Sequence, residues 1–221
     1  RLLERTAEVA RETGGFTEKG LRMALDSSPF EGHGRVEDTI NLLSHATRKI
    51  IDCVAQITKQ TVAQVIEQSG LSLFDAPSIK AALDVDWNDK SQKKEALNRL
   101  YEEIQSLQKW LQENFKEECS EPPLQPALET LNLLMEQDLE PDPAGGVSIT
   151  KGVAKNRRIS VEDGDMRHGR KSKKHRFNGY KRHIARDIDE GIIQSACTTA
   201  ANVLDAEALG ELVDAAEDQG R

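Results

Sequence analysis

"FNGYKRHIARDIDEGIIQSACTT", residues 177 to 199, decides the fold. Two runs of strand character flank Ile188-Asp189-Glu190-Gly191, and a glycine closing such a turn supplies the positive φ that a tight hairpin requires. Antiparallel strands are therefore expected here. A helix should follow from Asp205, a suitable N-cap, with Ala208, Leu209, Leu212 and Val213 on one side.

Immediately before and within the first strand lies "MRHGRKSKKHRFNGYKRHIARD", residues 166 to 187. The whole chain has a formal net charge of -8, yet Arg167, Arg170, Lys171, Lys173, Lys174, Arg176, Lys181, Arg182 and Arg186 fall in this one segment, read as a loop and the strand it feeds. Local charge is what a polyanion meets, and Lys and Arg neutralise phosphates with release of counterions. Gly169 and Gly179 leave room for close approach of the backbone. The competing reading is a solvated, flexible linker.

Farther toward the N-terminus, residues 141 to 165 mix Pro, Gly and charge without a period and read as a flexible connection. Residues 36 to 140 read as a helical insert. Val36, Ile40, Leu43, Ile50, Val54 and Ile57, with Thr47 in the missing place, make one stripe on a long helix from Val36 to about Gly70, with Glu37 and Asp38 in its first turn. A second helix, about Ser91 to Phe115, carries Leu97, Leu100, Ile104, Leu107 and Leu111. A third, about 124 to 138, carries Leu128, Leu131, Leu134 and Met135 after Pro122-Pro123. Core packing explains all three stripes.

In "LRMALDSSPF", residues 21 to 30, Leu21, Met23 and Leu25 alternate with Arg22, Ala24 and Asp26, the period of a strand with one buried face. The strand should stop at Ser27-Ser28-Pro29, which puts Asp26 at its carboxyl end, on the face opposite Leu25. A strand-end carboxylate is a common place to hold a divalent metal, but a lone one is usually a cap or turn former. The segment from 21 to 35 is thus a first strand. Residues 1 to 20 read as the end of a helical region closed by Gly14-Gly15.

Composition sets outer limits. The chain has 221 residues, 37% of them hydrophobic, so one large or two small domains are expected. No apolar run approaches the roughly 20 residues of a membrane span, and the opening "RLLERTAEVARET" is charged throughout, which points to a soluble cytoplasmic protein with no membrane partner. Its start at Arg1 suggests a piece of a longer chain. Cys53, Cys119 and Cys197 show neither a disulfide pattern nor zinc-ligand spacing. Gly32-His33-Gly34 lacks the third glycine of a dinucleotide loop, the five histidines have no ligand spacing, and no G-x-S-x-G nucleophile motif occurs.

Taken together, "LRMALDSSPFEGHGRVEDTINLL", "EDGDMRHGRKSKKHRFNGYKRHIARD" and "TTAANVLDAEAL" resemble a bacterial insertion-sequence transposase of the DDE type, with the ribonuclease H-like fold. The likeness runs from about Leu21 to the end, strongest over 163 to 209. It implies an α/β (α+β) chain: an incomplete ribonuclease H-like catalytic layer of strands one to three and the following helix, residues 166 to 221 supplying the basic loop, hairpin and helix, interrupted by a large helical insert. It also implies metal-dependent phosphodiester cleavage and strand transfer, with two Mg2+ ions held by three acids. Asp26 matches the first acid, catalytic and metal-binding. The other two would lie beyond Arg221, and Asp187 and Asp205 match no position of the triad, so this chain alone is expected to be inactive. Arg167, Arg170, Lys171, Lys173, Lys174, Arg176, Lys181 and Arg182 become the DNA-binding set. The implied partner is double-stranded DNA, both element ends and target, in a complex that could hold a homodimer, and the implied location is the bacterial cytoplasm at the nucleoid. A truncated, non-catalytic DNA-binding or regulatory module is the alternative, and a metal nuclease of the same fold a third reading.

Overall fold

The computed structural model describes residues 5, 6, 8, 9, 12, 22–189 and 191–218. Arg5, Thr6, Glu8, Val9 and Glu12 are helical, as read from the sequence, whereas Gly14-Gly15 and Leu21 lie outside the described residues. The chain is a mixture of helices and antiparallel sheet and divides into two units, Arg35–Val161 and the segments on either side of it.

In the helical unit, α1 spans Thr39–Thr58, α2 Val62–Ser69, α3 Ile79–Leu83, α4 Lys90–Asn114 and α5 Leu124–Asp138. The stripe of α1 is buried at Ile40, Leu43, Thr47, Ile50 and Val54. Thr47 fits among them because its hydroxyl donates to Leu43 O at 2.7 Å, so burial leaves no unpaired polar atom. Leu97, Leu100, Ile104, Leu107 and Leu111 of α4, and Leu131 and Leu134 of α5, join the same core.

Two expectations about α1 need correction. It does not run to Gly70: Lys59 turns into the left-handed region at φ 58°, and Thr61 opens α2. Thr61 and Gln64 cap each other reciprocally, which satisfies end donors of the second helix and favours the break. Nor are Glu37 and Asp38 in the first turn. Asp38 is the N-cap, accepting from Asn41 N at 3.0 Å, and Glu37 lies before it, buried against His45 Nδ1 at 2.9 Å, while Val36 is exposed.

The aperiodic segment after α5 is also more ordered than its composition suggests. Leu139–Pro141 (β2) and Val147–Ile149 (β3) form a small antiparallel hairpin. The Asn98 side chain of α4 bonds both Val147 N–H, at 2.8 Å, and Val147 O, at 3.0 Å. Beyond it, Arg157 Nε donates to the buried carboxylate of Asp138 at 2.7 Å, which also accepts from the Thr39 hydroxyl at 2.8 Å. Side-chain anchors supply what hydrophobic period does not.

The second unit is built on one long strand. β5, Arg176–Asp187, pairs on one side with β1, Met23–Glu31, and on the other with β4, Arg167–Arg170, followed end to end by β6, Ile193–Ala200. All pairings are antiparallel. The β5–β6 turn is the expected one, with Gly191 at φ 73° and its N–H bonded to Asp187 O. A 3-10 turn, Asp205–Ala208, leads into α6, Leu209–Asp218, which packs on β6 and β5 through Leu212 and Ala216. Asp205 is therefore not an N-cap; its carboxylate takes the Lys181 ammonium instead.

β1 differs most from expectation. It continues through Ser27, Ser28 and Pro29 to Glu31. Pro29 is tolerated because β1 pairs on one side only among the described residues, so a missing N–H can point outward. Asp26 lies in mid-strand rather than at a strand end, and Leu25 is exposed rather than core.

Candidate nucleic-acid interface

Residues directly opposite in an antiparallel pair share a sheet face. On β5, Phe177, His183, Ala185 and Asp187 are buried on the α6 side, where Ser195 of β6 donates to Leu212 O at 2.6 Å. The alternate residues Arg176, Asn178, Tyr180, Arg182, Ile184 and Arg186 form the other face. Opposite them stand Phe30, Ser28, Asp26 and Ala24 of β1 and, at the far end, His168 and Arg170 of β4. Asp26 faces Ile184, with Arg182 and Arg186 as its diagonal neighbours on β5.

The basic stretch read as a loop is a hairpin. β4 and β5 close through Lys171-Ser172-Lys173-Lys174-His175, with Lys171 N–H bonded to His175 O at 3.0 Å and the Ser172 hydroxyl accepting from His175 N at 3.0 Å. All five tip residues are exposed, as are Arg170 and Arg176 below them. Arg170 and Arg176 are direct cross-strand partners. No acidic residue occurs between Met166 and Arg186. Among the described residues neither guanidinium has a salt-bridge partner, and like charges directly opposite oppose pairing.

The eight residues expected to hold DNA thus separate by environment. Arg170, Lys171, Lys173, Lys174 and Arg176 form the exposed hairpin cluster. Arg167 is turned inward, donating to Gly164 O at 2.6 Å and Met166 O at 2.9 Å. Lys181 is largely enclosed, with its ammonium on Val203 O at 2.7 Å and Asp205 Oδ1 at 2.8 Å; that bond, and one from Ser27, hold the Asp205 carboxyl below its ordinary range. Arg182 lies on the open face and donates to the Ser28 hydroxyl at 3.2 Å.

Close by, the Phe30 and Tyr180 rings stack across β1 and β5, with centroids 5.5 Å apart and planes inclined by 23°. The Tyr180 hydroxyl donates to Asp163. Partial burial, and then this bond and the charge behind it, push the phenol up to about 12. Asp163 moves the other way: burial opposes its ionisation, but Tyr180 and the N–H groups of Met166, Asp165 and His33 outweigh it and hold the carboxyl low. Sequence reasoning missed Phe30, Asn178 and His168 as members of this face. The even-numbered period from Arg176 to Arg186 carried the signal, but pairing was needed to say what lay opposite.

Asp26 offers one hard oxygen ligand, whereas a two-metal phosphoryl-transfer site needs several carboxylates converging. The described residues contain no group of three or more His, Cys, Asp or Glu side chains able to hold a metal ion, so by themselves they do not fit the ion pair. Asp187 is buried and bonds Asp189 N–H at 2.7 Å, and Asp205 is held by Lys181. Among the described residues no helix is long and apolar enough to cross a membrane. Comparison of the chain with family models, with curated proteins and with solved structures found no match.

Proposed function

We propose that this chain binds double-stranded DNA through the β4–β5 hairpin, as part of the catalytic layer of a DDE-type transposase. One observation carries the reading: Arg170 and Arg176 oppose each other across the ladder, below a tip with three exposed lysines and no acid. Such an arrangement is unfavourable in isolation and becomes favourable when phosphates lie over it. The order β1, β5, β6, α6 agrees with the first three strands and following helix that the sequence resemblance implies. Asp26, on the open face, would then be the acid this chain contributes to a magnesium site, the remaining ligands coming from elsewhere.

Duplex binding measured against salt tests the proposal. The triple change Lys173→Glu, Lys174→Glu and Arg176→Glu should reduce affinity and lower the slope of log affinity on log salt by about 0.9 per lost phosphate contact. An unaltered slope overturns it.

A second reading is a DNA-binding or regulatory module that does not cut: the exposed cations of the β4–β5 hairpin can hold phosphates with no metal, and Asp26 stands opposite Ile184 with Arg182 and Arg186 as its diagonal neighbours. Magnesium-dependent nicking abolished by Asp26→Asn would decide for the enzyme. Duplex binding without magnesium-dependent nicking, in the protein as it is expressed from its natural gene, would decide for the module.

A further inference from the structure

We infer that the open sheet face also holds an unpaired DNA strand, with a base stacked on Phe30 and the flanking phosphates on Arg182 and Arg176. The inference rests on the DNA-binding reading and extends it to a second substrate form. Phe30 is 44% exposed, unusually open for a phenylalanine on a strand, and one side of its ring is against Tyr180. Its other side is toward the edge of the sheet, where no further strand pairs with β1 among the described residues.

The stack is built to stay in place. Tyr180 cannot swing freely, because its hydroxyl is bonded to Asp163, and that carboxylate is in turn held by the N–H of Met166 at 3.1 Å. Phe30 therefore rests against a fixed ring and loses little freedom when a base settles on it. Along β5 the neighbours on the same face, one step of about 7 Å to each side, are Arg182 and Asn178, with Arg176 a further step on. Asn178 is bonded to His168 at 2.6 Å, and Arg182 to Ser28, so polar groups able to meet base edges and cations able to meet phosphates flank the ring. The acids nearest the stack are engaged, Asp163 by the Tyr180 hydroxyl and Glu31, next to Phe30 in the chain, by the Asn178 N–H at 3.2 Å, and Asp26 lies two positions of the same face away along β1.

An unpaired strand fits this chemistry better than a duplex. Stacking on a side chain needs a base with a free π-face, and in a duplex both faces are taken by neighbouring pairs. The hairpin can hold paired DNA by phosphates alone, whereas Phe30 adds nothing to that contact. Strand ends opened during cleavage would supply the unpaired substrate.

The test uses the full chain with a fluorescent 12-mer oligothymidylate and, separately, a 20-base-pair duplex. Phe30→Leu keeps apolar bulk and removes the π-face. It should weaken oligothymidylate binding about tenfold, leaving duplex affinity within about twofold, and Phe30→Trp should bind oligothymidylate at least as tightly as the parent chain. Equal losses for both DNAs, no loss for the single strand, or equal losses in the Leu and Trp variants would each overturn the stacking role. A parent chain that binds oligothymidylate through Phe30 but not the duplex would overturn the hairpin reading alone.

Discussion

Arg170 and Arg176 stand directly opposite each other on one face of the β4–β5 ladder, the last paired residues before a lysine-rich tip. Cross-strand neighbours of like charge weaken a hairpin, and those of opposite charge strengthen it. If DNA binds as proposed, the two residues link the stability of the hairpin to its occupancy by phosphates.

This relationship predicts a trade-off. Arg176→Glu places opposite charges across the ladder, and should strengthen the hairpin by a few tenths of a kcal/mol while lowering duplex affinity. Hydrogen exchange at Gly169 and Phe177 amides reads the first effect, and DNA titration the second. Weaker hairpin protection together with intact DNA binding would refute the link.

Gly179 sits where β4 and β6 meet along β5, at φ 146°, with its carbonyl accepting from Ala201 N at 3.0 Å. A Cβ there would lie 2.1 Å from Gly32 N and 2.6 Å from Phe30 O, both backbone atoms. Gly179→Ala should cost on the order of 3 kcal/mol and loosen the hairpin from β1. Chemical denaturation of the variant, with near-native stability as the contrary result, checks it.

The Tyr180–Asp163 bond gives the sheet a pH signature at both ends. Asp163 is held below its ordinary range, so its contribution is present above the unfolded carboxyl pKa of about 4 and fades as pH falls through the depressed folded value. Tyr180 is raised, so its contribution is present below the unfolded pKa of about 10 and fades as pH rises through about 12. Tyr180→Phe should remove about 1 kcal/mol between these limits, a low value because the pair is partly solvated. It should also delete the tyrosinate absorbance phase near pH 12. A variant that keeps that phase contradicts the assignment.

In the helical unit, the Asp138 carboxylate is 4% exposed and depends on Arg157 and Thr39. Arg157→Met leaves a buried charge without its cation and should destabilise by on the order of 3 kcal/mol, and adding Asp138→Asn should recover part of the loss. Urea denaturation of the single and double variants measures both. Additive losses would show that the pair is not coupled.

The helices α1, α4 and α5 were legible in the sequence because their signal is local: a stripe at three- and four-residue steps fixes which face must be buried, whatever covers it. The break at Lys59 was legible in principle, since Thr61 and Gln64 form a capping box, but the continuing apolar stripe concealed it. Strand β1 misled for the opposite reason. Leu21, Met23 and Leu25 alternate as if one face were core, yet Leu25 is exposed, because alternation states a period and not the presence of a covering layer.

By itself, then, the sequence determined the local periods, the β5–β6 turn at Gly191 and the concentration of cations between Met166 and Arg186. Tertiary structure alone decided that Arg170 opposes Arg176, that Phe30 meets Tyr180, and that Asp26 shares a face with Arg182 and Arg186. The first is a matter of register within one hairpin, and the other two are matters of register between segments distant in the chain. A shift of one residue would move every one of those side chains to the other face, and only the completed pairing of β5 with β1, β4 and β6 forbids that shift.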